Sequence, residues 1–132
     1  MAEKVPSIDA WLKEAQADPS APDCGMYLTH CGVVRRTARE QVREGVPDAR
    51  PVSGMWFDYD EEKVEKAAAA ARQLPGIGYV KVWLNRGELS VGDVIMLVLV
   101  GGDIRPRVID ALQTLVGTLK TECVIEREMR EA

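Results

Sequence analysis

Histidine and phenylalanine are almost missing from this chain: His30 and Phe57 are the only residues of their kinds among 132. One histidine cannot build an imidazole-rich metal site. Its neighbour Cys31 points to the opposite face if the segment is a strand, so a cysteine–histidine catalytic pair is disfavoured and His30 reads as a satisfied structural residue. Few aromatics, 5%, and a net charge of −4 exclude the basic, base-stacking surface of a nucleic-acid binder. The three cysteines, Cys24, Cys31 and Cys123, are odd in number and form no CxxC pair. They point to reduced thiols that serve in packing, with neither a disulfide framework nor a metal site. Long apolar runs are absent too. The longest, Val94 to Val100, falls far short of the about 20 residues that span a bilayer. The N-terminal MAEKVPSIDAWLKEA scatters acids and lysines among its apolar residues, unlike a signal peptide. The expectation is a cytoplasmic protein with no membrane contact.

What is present is a globular composition, 46% hydrophobic and 29% charged, at the size of one domain with one core, residues 1–132. The cations are unevenly placed. Arg35, Arg36, Arg39, Arg43 and Arg50 crowd one segment without a lysine, and Arg86, Arg105, Arg107, Arg127 and Arg130 stand near the ends of other segments. Arginine suits the fixed-geometry grip of a phosphate or carboxylate, so local clusters in an acidic chain point to a small anionic ligand.

Ser7 can cap a helix over about 7–17 with Ile8, Trp11, Leu12 and Ala15 on one stripe, and ADPSAPDCG after it has turn chemistry. GMYLTHCGVV reads as a strand that feeds a polar loop at about 36–51, expected to be mobile until an anion binds. VSGMWFDY resumes strand character. Asp60, Glu61 and Glu62 then open a helix whose inner face is Val64, Ala67, Ala68 and Ala71. IGYVKVWLNR and DVIMLVLVG flank GELSVG, which reads as a hairpin connection. Asp103 can cap the last helix, with a stripe of Val108, Ile109, Leu112, Leu115, Val116 and Leu119. The order α-β-β-α-β-β-α-β predicts an α+β fold with helices packed on a mostly antiparallel sheet.

The carboxylate run Asp58, Asp60, Glu61 and Glu62 could suggest a metal cluster, yet its place at a helix start favours capping, and no metal is expected. The remaining chemistry lies in the arginine loop, in Arg105 and Arg107 at the positive end of the last helix, and in Lys120 at its negative end. Two readings of Lys120 stay open. It can be a dipole partner at a solvated helix end, or an amine among apolar residues and other cations that works as a nucleophile.

Three segments, CGMYLTHCGVVR, NRGELSVGD and IRPRVIDALQTLVGTLKTECVIERE, in this order and spacing, resemble the large, catalytic subunit of molybdopterin synthase. The resemblance runs from the first helix to about Arg127. Matching features are a Gly-x-Val-Arg segment that ends the first strand, a Gly-x-Leu-x-[Val/Ile]-Gly hairpin before the central apolar strand, and an arginine and a lysine that open and close the last helix.

The resemblance implies that family's alpha/beta hammerhead fold and a sulfurtransferase in molybdenum cofactor biosynthesis. Sulfur would pass from the C-terminal Gly-Gly thiocarboxylate of a ubiquitin-like small subunit to a cyclic pyranopterin monophosphate. It also implies a homodimer that forms a heterotetramer with its carriers, and no resident cofactor beyond the pyranopterin substrate. Lys120 and Arg127 correspond to the working lysines, and Arg35 and Arg105, with Arg36 and Arg39 of the loop, to substrate-binding cations. Ile104 stands in place of a family histidine, Asn85-Arg86 in place of His-Arg, and Val124-Ile125-Glu126-Arg127 in place of a Pro-Trp-Lys segment. An arginine can clamp an anion but cannot serve as a general base. The alternative is therefore a paralogue that docks a sulfur carrier or a pyranopterin ligand as a binding or regulatory module.

Overall fold

The computed structural model describes residues 4–38, 45 and 51–130. Helix α1, Ile8–Gln16, begins where the Ser7 hydroxyl accepts a hydrogen bond from the Ala10 amide. Strand β1, Met26–Val33, and β2, Val52–Tyr59, follow. Asp60 caps α2, Glu61–Arg72, by accepting from the Lys63 amide, the capping use read from its carboxylates. After Gly76, at φ 77°, come β3, Ile77–Leu84, β4, Gly87–Ser90, and β5, Val94–Gly102. Helix α3, Arg105–Thr118, widens into a π turn, Leu119–Cys123, before β6, Val124–Arg130. Most of the 36–51 loop, Arg39 included, lies outside the described residues.

The strands form two antiparallel three-stranded sheets, ordered β1-β5-β3 and β4-β2-β6. The central β5 runs apolar throughout because both of its faces are covered. Met96, Val98 and Val100 look into the main core with Phe57, Leu89, Leu115 and Leu119. Leu97 and Leu99 look the other way, onto Trp11 and Ala15 of α1. Lys81 of β3 ties α1 down, 2.5 Å from the Glu14 carboxylate and 5.2 Å from the Trp11 ring centroid. Three alanines, Ala67, Ala68 and Ala71, let α2 approach the core closely.

Three details correct the sequence reading. GELSVG is no hairpin connection: Gly87–Ser90 is a strand that leaves β3 and pairs with β2, Leu89 opposite Met55. The order is therefore α-β-β-α-β-β-β-α-β. Leu89 is 1% exposed, and its burial in the second sheet is the gain that draws the segment away from a tight turn. Gly54 makes this pairing possible, since a Cβ there would lie 2.5 Å from the Leu89 carbonyl oxygen. Asp103 does not cap α3 in the usual way. It accepts from the adjacent Ile104 amide at 2.6 Å and from Arg107 at 2.8 Å, and Ile104 occupies the cap position. Ile109, expected on the inner stripe, is exposed, and Ala111 is buried instead.

Candidate functional site

A pocket of about 170 Å³ opens where the two sheets meet the end of α3. Arg35, just past β1, and Lys120, in the π turn, supply its cations. Val33, Met55 and Ile95 supply apolar wall, and Glu126 and Glu128 of β6 supply carboxylates. Each group is there for a local reason. The ladder between β1 and β5 slips between Gly32 and Val33, turning Val33 outward and sending Val34 into the core. Arg35 Nε then donates to the Thr37 carbonyl at 2.9 Å, which fixes the start of the loop. The π turn adds a residue to the helical repeat; Leu119 and Cys123 are buried in it and Lys120 is left half-buried at the pocket.

The structure brings together only part of the predicted set. Arg35 and Lys120 share the pocket. Arg36 is exposed, and its carbonyl accepts from the Val52 amide at 2.8 Å, closing the base of the loop. Arg105 is exposed at the start of α3, fifteen residues before Lys120, which at helical rise separates them by about 22 Å. Arg127 faces away: it pairs with Trp56 across the ladder, its guanidinium 5.7 Å from the ring centroid. Its neighbours Glu126 and Glu128 pair with Phe57 and Met55 and so take the pocket side.

Those two glutamates were missed by sequence reasoning. Their alternation with Ile125 and Arg127 was visible, but which pair faced inward depended on the register with β2. Glu128 also meets Arg130 at 3.3 Å. The pocket wall thus carries both signs of charge.

His30, read as satisfied, has a buried Nε2 with no hydrogen-bond partner among the described residues. Burial and the charge of Lys120 hold its imidazole below the ordinary histidine range. Cys31 is exposed, not a packing residue, while Cys123 is buried and its thiol is pushed up by burial. Asn85 and Arg86 are structural. The buried Asn85 amide donates to the Val94 carbonyl at 2.9 Å. Arg86 meets Asp58 at 2.6 Å and lies 4.3 Å from the Tyr59 ring centroid, and its hydrogen bond holds the Asp58 carboxyl below the usual range. Among the described residues, no three histidine, cysteine or acidic side chains gather as a metal site, and no helix is long and apolar enough to cross a membrane.

A volume of 170 Å³ is below the roughly 300–1,000 Å³ of sites that engulf a whole cofactor-sized ligand. The pocket can admit an oxyanion or the slim end of a peptide, with Arg35 and Lys120 to meet negative charge.

Solved structures share this architecture. The molybdopterin biosynthesis MoaE protein from Burkholderia ambifaria is 23% identical at a TM-score of 0.71, covering 96% of this chain and 84% of its own. The molybdopterin cofactor biosynthesis protein E from Burkholderia multivorans is 20% identical at 0.70, covering 98% and 89%. A complex of subunits 1 and 2 of molybdopterin-converting factor from Helicobacter pylori includes a chain 18% identical at 0.67, covering 94% and 76%. At such identities the likeness establishes the fold. No curated protein sequence matches the chain. The MoaE protein family, however, matches residues 2–122. The chain therefore belongs to the MoaE family of molybdopterin synthase large subunits, and its role lies in molybdenum cofactor biosynthesis.

Proposed function

We propose that the chain is a catalytic large subunit that transfers sulfur from the C-terminal thiocarboxylate of a ubiquitin-like small subunit to a cyclic pyranopterin monophosphate. The observation that carries this reading is the shared pocket of Arg35 and Lys120 in a chain of this family. A Gly-Gly tail has no side chains and fits a narrow pocket; the pterin, too large for it, would lie at the mouth. Arg35 clamps the anionic end in a fixed geometry. Lys120 is the working amine, donating to the charge that develops as the carbon–sulfur bond breaks and exchanging a proton there. The chemistry needs no resident cofactor.

The active form is a homodimer with one carrier per subunit, a heterotetramer in the cytoplasm; the subunit complex from Helicobacter pylori supports such a partner. In that dimer Arg105 serves the second protomer's pocket, since its own lies a helix length away. Arg127, beside Trp56 on the outer face, meets the carrier or the second protomer. Purified chain mixed with thiocarboxylated small subunit and pyranopterin precursor should form molybdopterin. No product and no complex would overturn the proposal.

Glu126 and Glu128 in the pocket wall favour a second reading, a module that docks the carrier or the pterin without turnover. Carboxylates there oppose an incoming anion, and Ile104, exposed at the head of α3, offers no proton. A stable complex that yields no molybdopterin would select this reading.

A further inference from the structure

Strand β3 packs on the main core through Val80 and Val82 and on the α1 side through Tyr79 and Trp83, but it ends its sheet, whose order is β1-β5-β3. In an antiparallel pair the peptide groups of alternate residues turn toward the partner, and those between them turn away. The Asn85 amide, just past β3, donates to the Ile95 carbonyl of β5 at 2.8 Å. With Trp83 opposite Leu97 and Lys81 opposite Leu99, the odd-numbered residues therefore make the ladder. Val80 and Val82 turn their N–H and C=O groups to the outer edge. The Val80 carbonyl is seen there directly, accepting from the Arg72 guanidinium of α2 at 3.0 Å.

A groove follows this edge. One part, about 410 Å³, is lined by Asp18, Gly78, Tyr79 and Val80, and the other, about 460 Å³, by Val64, Glu65, Ala68 and Val82; Arg72 and Lys81 belong to both. None of these residues lines the Lys120 pocket. Lys81 is matched by Glu14. Arg72 is exposed, and none of the described ion pairs includes it. The middle of the groove thus holds a cation whose described partner is a carbonyl.

We propose that this edge receives an extended acidic segment of a partner protein, which adds to β3 as a fourth strand, antiparallel like the other pairs in the molecule. The geometry sets its pattern. A residue opposite Val80 projects on the same face of the sheet as Val80, the face that shares its core with Ala68 and Ala71 of α2. A carboxylate there takes over Arg72 in a two-pronged pair and releases the Val80 carbonyl to the incoming N–H. Two residues on, the side chain opposite Val82 meets Val64 and Ala68, where an apolar residue fits. The docking pattern is an acidic residue two positions from an apolar one. Charge decides against a second copy of this chain: pairing β3 with itself about a two-fold axis at Val80 would set Arg72 against its own counterpart.

The inference is independent of the sulfur-transfer reading, because the two sites share no residue. The probe is a capped peptide, Thr-Val-Thr-Glu-Thr-Val-Thr, long enough to cover the roughly 13 Å from Gly78 to Val82. The expected result is saturable binding that slows hydrogen exchange at the Val80 and Val82 amides. Affinity should fall about tenfold or more when the central glutamate becomes glutamine, and by as much in Arg72→Gln. The two changes together should lose no more than either alone, since they remove the same pair. The glutamine peptide is tested on the unmodified chain, so that comparison does not depend on how the variant folds. Methylating the peptide nitrogens of the glutamate and the valines should abolish binding. Absence of binding at about 1 mM peptide, equal affinity for a central lysine, full affinity after methylation, or slowed exchange confined to residues outside β3 would overturn the inference.

Discussion

Trp56 and Arg127 stand directly opposite each other on β2 and β6, the guanidinium 5.7 Å from the indole centroid, on the face of the second sheet turned away from Lys120. An exposed contact of this kind is worth about 0.5–1 kcal/mol. Arg127→Ala should therefore lower stability by no more than that and leave sulfate affinity at the Lys120 pocket unchanged, measured by denaturant titration and calorimetry. A tenfold loss of sulfate affinity would bring Arg127 back into the anion site.

Lys120→Ala should abolish sulfur transfer while barely changing stability, since a charge near a helix end contributes only about 0.3–1 kcal/mol. Single-turnover assays with thiocarboxylated carrier, run beside thermal melts, separate the two effects. Parental activity in this variant would leave Lys120 as a dipole partner and the protein as a docking module.

Glu126→Gln removes one negative charge from the pocket wall. A charge at close range near a protein surface is worth on the order of 1 kcal/mol or more, so sulfate should bind about fivefold tighter. Unchanged affinity would mean that the Glu126 charge is already neutralised by its surroundings.

The cysteines should separate by burial. Brief treatment of native protein with a thiol alkylator should label the exposed Cys31 first, while Cys123, buried and with its thiol pushed up, should react only on unfolding or at high pH. Peptide mass mapping decides it, and early labelling of Cys123 would show that the π turn opens readily.

What the sequence determined by itself was local. Ser7 and Asp60 cap helices because their side chains reach amides three residues on, and the alternation in IGYVKVWL or the alanine face of α2 expresses a period that needs no distant partner. The ordered segments around Arg35, Gly87–Gly92 and Lys120 marked the family for the same reason. Tertiary structure decided the rest. Phe57 and Glu126 pair across 69 positions of sequence, and only that pairing turns Glu126 and Glu128 toward Lys120 and Arg127 toward Trp56. A shift of one residue in register would exchange the two faces. Likewise, β4 became a strand because β2 offered Leu89 a buried place, and the fifteen residues from Arg105 to Lys120 became a separation because they form a continuous helix. Hydrophobic periodicity fixes which residues of a segment share a face; which face is buried, and against what, depends on pairings between segments far apart in the chain.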